Sequence, residues 1–505
     1  MNKILKSLLI AVCACGIANA GNTTNRTFLL PRPQGVNLPM EETTFAELTM
    51  LEKEDRFGGN FQLVPFFQQS SNNSDLAKYF LVNTKSMITL KTGTNPGNAR
   101  SDTTGDLDIL YLIHNYTAGT EQFAAYTANF AIEPEQTVYG VRIDYSQNMD
   151  KILRGLYLTI NLPIVHVENK TEPAASNATN TDLKTNLEKY LRGDFVVAEN
   201  GTTEHNAQVK LNYAKIDGKQ SDTGVADIDL ALGYKFFNKE KYHGAIAIGL
   251  TIPTGNEADG VHMFQPIVGN GKHFGLGADL CVGARIWGDV DHNLKIHLKM
   301  KYRYLFENSE RRTLGIKDYK WGQYHLLVRA GVLNTDATSL IPAANVTTLN
   351  VDVTPGSQFD GLLGFTYNNG GFNFDLGYNA YLREEEKVHL KDAFEAGKYA
   401  VASRNYDTAS GVVDHHATAN PIVPGLATDG GTTVGNVAIL SKDTLDVEAA
   451  STPSQFTNAV YAGMGYNFKD WDTPMLLGIG GKYEFASKNS ALEQWNVYAK
   501  IGIGF

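Results

Sequence analysis

Residues 495–505 read Trp-Asn-Val-Tyr-Ala-Lys-Ile-Gly-Ile-Gly-Phe, and they alternate. Successive side chains of a strand point to opposite sides, so Trp495, Val497, Ala499, Ile501, Ile503 and Phe505 share one face. Asn496, Tyr498, Lys500, Gly502 and Gly504 share the other. One face is wholly apolar and the other polar or small. Working back along the chain, the same period of two returns at 475–485, 372–382, 294–306, 276–286, 246–252 and 228–236. Most of these stretches run roughly 10 to 14 residues, longer than the ~5–6 of soluble strands and close to the ~9–11 of a tilted strand crossing a bilayer.

Period alone does not name the solvent, because a soluble β-sandwich alternates as well. The faces opposite the apolar ones carry Asp227, Asp229 and Lys235, or Lys295, His297, Lys299, Lys301 and Arg303, or Asp279, Gly283 and Arg285. Such faces suit a wet lumen. The ending, with Tyr498, Ile501, Ile503 and the terminal Phe505, resembles the strand signal by which the barrel-assembly machinery recognises bacterial outer-membrane barrels. At the other end, Met1–Ala20 has Lys3 and Lys6 before an apolar core and closes on Ala18-Asn19-Ala20, the pattern of a cleaved signal peptide. After residue 20 no window approaches the ~18 consecutive apolar residues of a membrane helix. The expectation is an all-β protein: an exported transmembrane antiparallel β-barrel over 57–505. It would sit in the outer membrane of a Gram-negative bacterium, with lipid and lipopolysaccharide around it. A secreted β-sandwich is the competing reading.

Composition agrees and removes other classes. Of 505 residues 43% are hydrophobic and 19% charged, and Gly (48), Tyr (24) and Phe (24) are plentiful, as in a protein of many repeated strands. The net charge of −10 argues against nucleic acid as a partner, since phosphate binding needs a basic footprint. Of three Cys, two (Cys13 and Cys15) lie in the signal peptide; Cys281 alone cannot form an internal disulfide.

If Phe505 is periplasmic, the breaks can be counted backwards. Short inner turns fall at 469–474, 368–371, 288–292, 238–241 and 147–154, and long outer loops at 488–491, 384–454, 307–356, 253–274, 168–224 and 68–105. Further strands at 137–147, 122–132, 106–116 and 57–67 bring the count to about 14. Residues 21–56 do not alternate, contain Pro31, Pro33 and Pro39, and are expected as a periplasmic or lumenal segment. Helical composition at 178–192 and 383–399 predicts short helices in the largest loops.

The stretch Ala226–Asp279 contains ADIDLALGYKFF, then a strand ending Ile252-Pro253-Thr254-Gly255, then the return Gly269-Asn270-Gly271. It resembles the outer-membrane family associated with the meta pathway of phenol degradation. The architecture is also similar to the long-chain fatty-acid and hydrocarbon channels of the outer membrane. The resemblance implies a channel for hydrophobic or aromatic compounds. Arg32-Pro33-Gln34-Gly35-Val36-Asn37 maps onto no part of that pattern.

Lys295, His297, Lys299, Lys301 and Arg303 form a ladder of positive groups ~7 Å apart on one strand face. It either draws anions into a pore or is answered by acidic neighbours such as Asp279 and serves the wall. Asp414, His415 and His416 lack a third ligand at zinc-site spacing, so no metal is expected. Gly269-x-Gly271-Lys272 runs into His273 and fails as a phosphate loop, and neither G-x-S-x-G nor His-Glu-x-x-His occurs. No catalytic residue and no cofactor is expected, and the chain is read as a non-enzyme. Two functions stay open: a channel or transporter for small solutes, and a surface-exposed barrel acting as adhesin, receptor or scaffold through its loops.

Overall fold

The protein is described here by a computed structural model. It covers residues 25–43, 58–91, 106–109, 112–113, 126–194, 196–197, 207–239, 241–329, 333–334, 340–401, 403–407, 412–416, 427–429, 432–434, 440–468, 471, 473–488 and 490–505. The signal peptide expected at 1–20 lies outside the described residues, as do the side chains of Asp414, His415 and His416.

Thirteen long strands build the wall. They are β1 (Gly59–Ser70), β2 (Glu135–Asn148), β3 (Leu156–Thr171), β4 (Gly218–Val225), β5 (Ile228–Lys239), β6 (Tyr242–Ile252) and β7 (Gly275–Gly288). There follow β8 (His292–Leu305), β9 (Gly356–Asn369), β10 (Phe372–Arg383), β11 (Gln455–Phe468), β12 (Met475–Ala486) and β13 (Gln494–Gly504). All pairings are antiparallel, and neighbours in the chain are neighbours in the sheet except at β4 and β5, which both pair with β3 and not with each other. The ring closes where β13 meets β1, with Gly504 opposite Asn60 and Trp495 opposite Gln69, so neither edge of the sheet is left open.

The barrel has twelve staves rather than thirteen, because β4 and β5 follow one another along the same partner. Val225 faces Ile164 on β3, and Asp229 faces Asn161. Three residues, Ala226–Ile228, therefore lie opposite two, Leu162 and Pro163, which is a β-bulge. Pro163 has no N–H to give to a ladder and accepts from the Ala226 N–H at 2.9 Å, so the interruption falls where it costs least.

The wall is inside out relative to a soluble protein. Outward residues include Ile246, Ile248, Leu276, Phe365, Leu376, Ile479, Val497 and Ile501, all exposed. Inward residues include Arg142, Asp144, Asp279, Arg303, Asp360, Asn379, Glu484 and Lys500, all buried. An exposed apolar belt around a polar interior is stable only in lipid, so the fold is a transmembrane β-barrel. Among the described residues no helix is long and apolar enough to cross a membrane.

Five tight connections, at 149–155, 240–241, 289–291, 370–371 and 469–474, close one end of the barrel. The described parts of the long loops gather at the other. Two of the fourteen strands counted from the sequence belong to these loops. Leu107–Asp108 and Thr127–Ala131 join Met87–Lys91 and Ala174–Ser176 in a small separate sheet. Ile109, Leu112, Ile113, Phe130 and Ile132 are all buried in one apolar core with Leu76, Phe80, Leu187, Tyr190, Trp321 and Tyr324. A stave would have turned half of such residues to lipid. Five loops thus contribute described residues to a soluble-type core and form a dome over the barrel mouth.

Helix Thr181–Arg192 is present in the dome, capped by the Asn180 side chain at its start and by left-handed Gly193 at its end. The helix expected at 383–399 is not. That run holds the short strands Lys387–Leu390 and Tyr399–Val401, because Val388 and Leu390 pack on Val351 and Val353 across a three-stranded sheet. Tertiary packing there overrides a helical composition.

Candidate functional site: the strap inside the lumen

Residues 25–43 run through the barrel interior as a strap. Pro31, Pro33 and Pro39 deny it a sheet ladder, so side chains of the wall satisfy its backbone. Asn37 caps a single helical segment, Leu38–Glu42, by accepting from the Met40 N–H. The carbonyls at its end are taken by the Lys500 ammonium, 2.9 Å from the oxygen of Glu41 and 2.6 Å from that of Thr43. The Tyr498 hydroxyl donates to the Pro39 carbonyl at 3.2 Å. Gly463 of β11 leaves the room that Thr43 fills: a Cβ there would overlap Cγ2 of Thr43.

Two ion-pair clusters hold the strap. In the first, Arg32 reaches Asp360 of β9 and Glu484 of β12, both at 2.9 Å, and lies over the Tyr381 ring at 4.6 Å. In the second, Glu41 meets Arg142 and Lys299 at 2.6 Å each and Lys301 at 2.9 Å, while Glu42 also bonds Lys299. Lys301 continues to Asp229 at 3.2 Å. Arg303 pairs with Asp229 at 3.0 Å and with Asp279. Of the five-residue ladder on β8, the three members nearest the loops are therefore answered by carboxylates.

The other residues singled out from the sequence sit as follows. Lys295 and Arg285 are register partners on β8 and β7 at the turn end. His297 faces inward beside Gly364, where a Cβ would overlap its ring. Asp227 occupies the bulge, buried, with Oδ1 lacking a hydrogen-bond partner. It borders a cavity of about 30 Å³, one or two waters in size, between strap residues Pro33–Leu38 and the wall at Asp229, Thr251, Arg303 and Gln358. Tyr498 points inward onto the strap, whereas Ile501, Ile503 and Phe505 are exposed on the outer face. Among the described residues no group of three or more His, Cys, Asp or Glu is placed to hold a metal ion.

Sequence reasoning named Arg32 and Lys500 without giving them a role and did not reach Glu41, Glu42 or Arg142. A signal for Arg32, Glu41 and Glu42 exists: charged residues in a Pro-rich, non-alternating segment of a barrel whose inner face carries unanswered charge.

The dome is tied to this site through a third cluster above the mouth. Arg312 joins Glu310 at 2.9 Å and Glu386 at 2.6 Å, Glu386 also pairs with Arg383, and Glu310 accepts from His273 at 2.9 Å. Burial alone would raise the Glu386 carboxyl. The two guanidiniums and the Thr452 N–H outweigh it and bring it down to about 2.

No family model matches the sequence, and no curated protein does. Among solved structures, an outer membrane channel from Pseudomonas putida F1 is similar at 9% identity, over 89% of this chain and 96% of its own, with a TM-score of 0.36. The Pseudomonas putida toluene transporter TodX shares 7% identity over 95% and 99%, with a TM-score of 0.32. The β domain of the Bordetella autotransporter BrkA shares 9% over 89% and 100%, with a TM-score of 0.30. Likeness at that level names no solute; the barrel assignment stands on the strand registers.

Proposed function

We propose that the protein is an outer-membrane channel for small solutes, described here in its closed form, with segment 25–43 as the element that closes it. The observation that carries this reading is the separateness of the filling. An eight-stranded barrel fills its interior with wall side chains, and twelve staves enclose more than wall side chains fill. Here a distinct segment, held by side-chain ion pairs and carbonyl contacts rather than by sheet pairing, takes up that space.

Neutralisation of the ladder supports a role in the wall over one as an anion filter. Lys299, Lys301 and Arg303 are matched by Glu41, Glu42, Asp229 and Asp279, so the upper lumen offers no row of uncompensated cations. Weakly polar, hydrophobic or aromatic solutes fit such an interior better than anions, and they are the class the resemblance of Ala226–Asp279 implies. Liposome swelling with a variant whose strap is loosened, Glu41→Gln with Glu42→Gln, tests this: entry of small aromatic compounds with exclusion of sugars and organic anions supports it, and the parent should admit none of them. Equal entry of all three describes a general pore.

A second reading has its own support. The dome core around Trp321 and Tyr324 is built like that of a soluble domain, more than a pore entrance needs. A receptor or adhesin would use that dome, and would admit none of the solutes.

A further inference from the structure

The strap runs from the loop end of the barrel down into the lumen, and the chain that follows it emerges at the other end. At its start, the Trp321 N–H donates to Asn25 Oδ1 at 2.8 Å, and the Thr27 hydroxyl to the Thr313 carbonyl at 2.6 Å. The Tyr79 hydroxyl donates to the Phe28 carbonyl at 2.7 Å, and the Leu30 N–H to Thr452 Oγ1 at 2.9 Å. Arg26 reaches the Glu448 carbonyl and the Ser451 hydroxyl, both at 2.7 Å. All these partners belong to loops of the dome. After the strap, the chain reappears at the turn end, where Gly59 exchanges hydrogen bonds with Phe505 at 2.9 and 3.0 Å. Thr43 already lies within the lumen beside Gly463 and Lys500, and the fourteen positions between it and Gly58 can span at most ~50 Å, ample for the rest of a wall whose apolar band is ~25 Å tall.

We infer that the chain is threaded through its own barrel, so that whatever precedes Asn25 in the mature protein emerges at the cell surface, and that residues 25–30 staple the dome to the barrel mouth. Hydrogen bonds from this segment reach three different loops, and Leu29 is part of the dome core. This rests on the reading that the long loops face outward, and the test separates the two claims.

Three versions of the full chain each carry one epitope: between Thr24 and Asn25, in the tight turn after Val290, or in the loop after Gly397. Antibody binding is compared on intact and permeabilised cells, with heat-modifiable mobility showing that each barrel has folded. The inference expects the first and third epitopes to be bound on intact cells and the turn epitope only after permeabilisation. An amino-terminal epitope that behaves like the turn epitope overturns the threading. Loop and turn epitopes that exchange behaviour overturn the outward orientation instead. The staple is tested separately by Arg26→Ala, expected to speed proteolysis of the loops at least tenfold while the barrel stays heat-modifiable; unchanged cleavage overturns it.

Discussion

The Lys299 ammonium on the barrel wall lies 2.6 Å from Oε1 of Glu41 on the strap, and both side chains are largely buried. This contact turns a row of positive charge, which in isolation looks like an ion path, into part of the wall's own support. Attraction in a low-dielectric interior offsets desolvation only when the partners stay together, so each depends on the other.

Glu41→Gln leaves Arg142, Lys299 and Lys301 short of a counter-charge in a buried site. Breaking a buried pair from one side costs about 3–5 kcal/mol. The variant should therefore lose heat-modifiable barrel at clearly lower urea than the parent. Adding Lys301→Gln to it should cost less than the sum of the two single changes. Strict additivity would mean that the two residues do not interact.

Gly463→Val places atoms where Thr43 sits. Overpacking of this kind costs about 1–3 kcal/mol, and here it should push the strap off the wall rather than distort the sheet. Thr43→Ala in the same protein should restore part of the loss. Equal stability of Gly463→Val and parent would show that the strap does not occupy this position.

Replacing Phe505 with Asp removes the apolar end of the last stave, next to the seam with Gly59. Outer-membrane insertion should fail, read as loss of the heat-modifiable, protease-protected form. A variant that still inserted would count against both the terminal signal and the importance of the seam.

Glu386 makes the dome acid-sensitive. Its carboxyl is brought from 4.5 down to about 2 in the folded protein. A depressed carboxyl contributes stability that is fully present above its unfolded value and is lost as pH falls through the folded one. Loop proteolysis or Trp fluorescence should therefore report loosening as pH drops from about 4.5 towards 2. Glu386→Gln should be looser at neutral pH and flatter across that window, and a parent-like profile would remove Glu386 from the account.

The wall was legible in the sequence because lipid on one side and a polar lumen on the other force a strict period of two, as at Leu294–Phe306. The breaks at 288–292 and 368–371 were legible for the same reason: polar and Gly residues interrupt that period. The dome was not. Ile109, Leu112 and Ile113 are apolar enough for a stave, and only the loop core they enter distinguishes the two environments. The bulge at Ala226–Asp227 hides as well, since one extra residue leaves the alternation on either side intact. Of the site, one half could be seen. The β8 cations stand out by periodicity, while Arg32, Glu41 and Glu42 lie more than 250 positions before several of their partners, and nothing local couples them.

The central claim is that the strap keeps a solute channel closed, and planar-bilayer conductance tests it most directly. The parent protein should be silent. The double variant Glu41→Gln, Glu42→Gln, in which the Lys299 and Lys301 contacts are weakened, should show discrete conductance steps. Large, steady steps from the parent would contradict the account, and so would silence from a folded double variant.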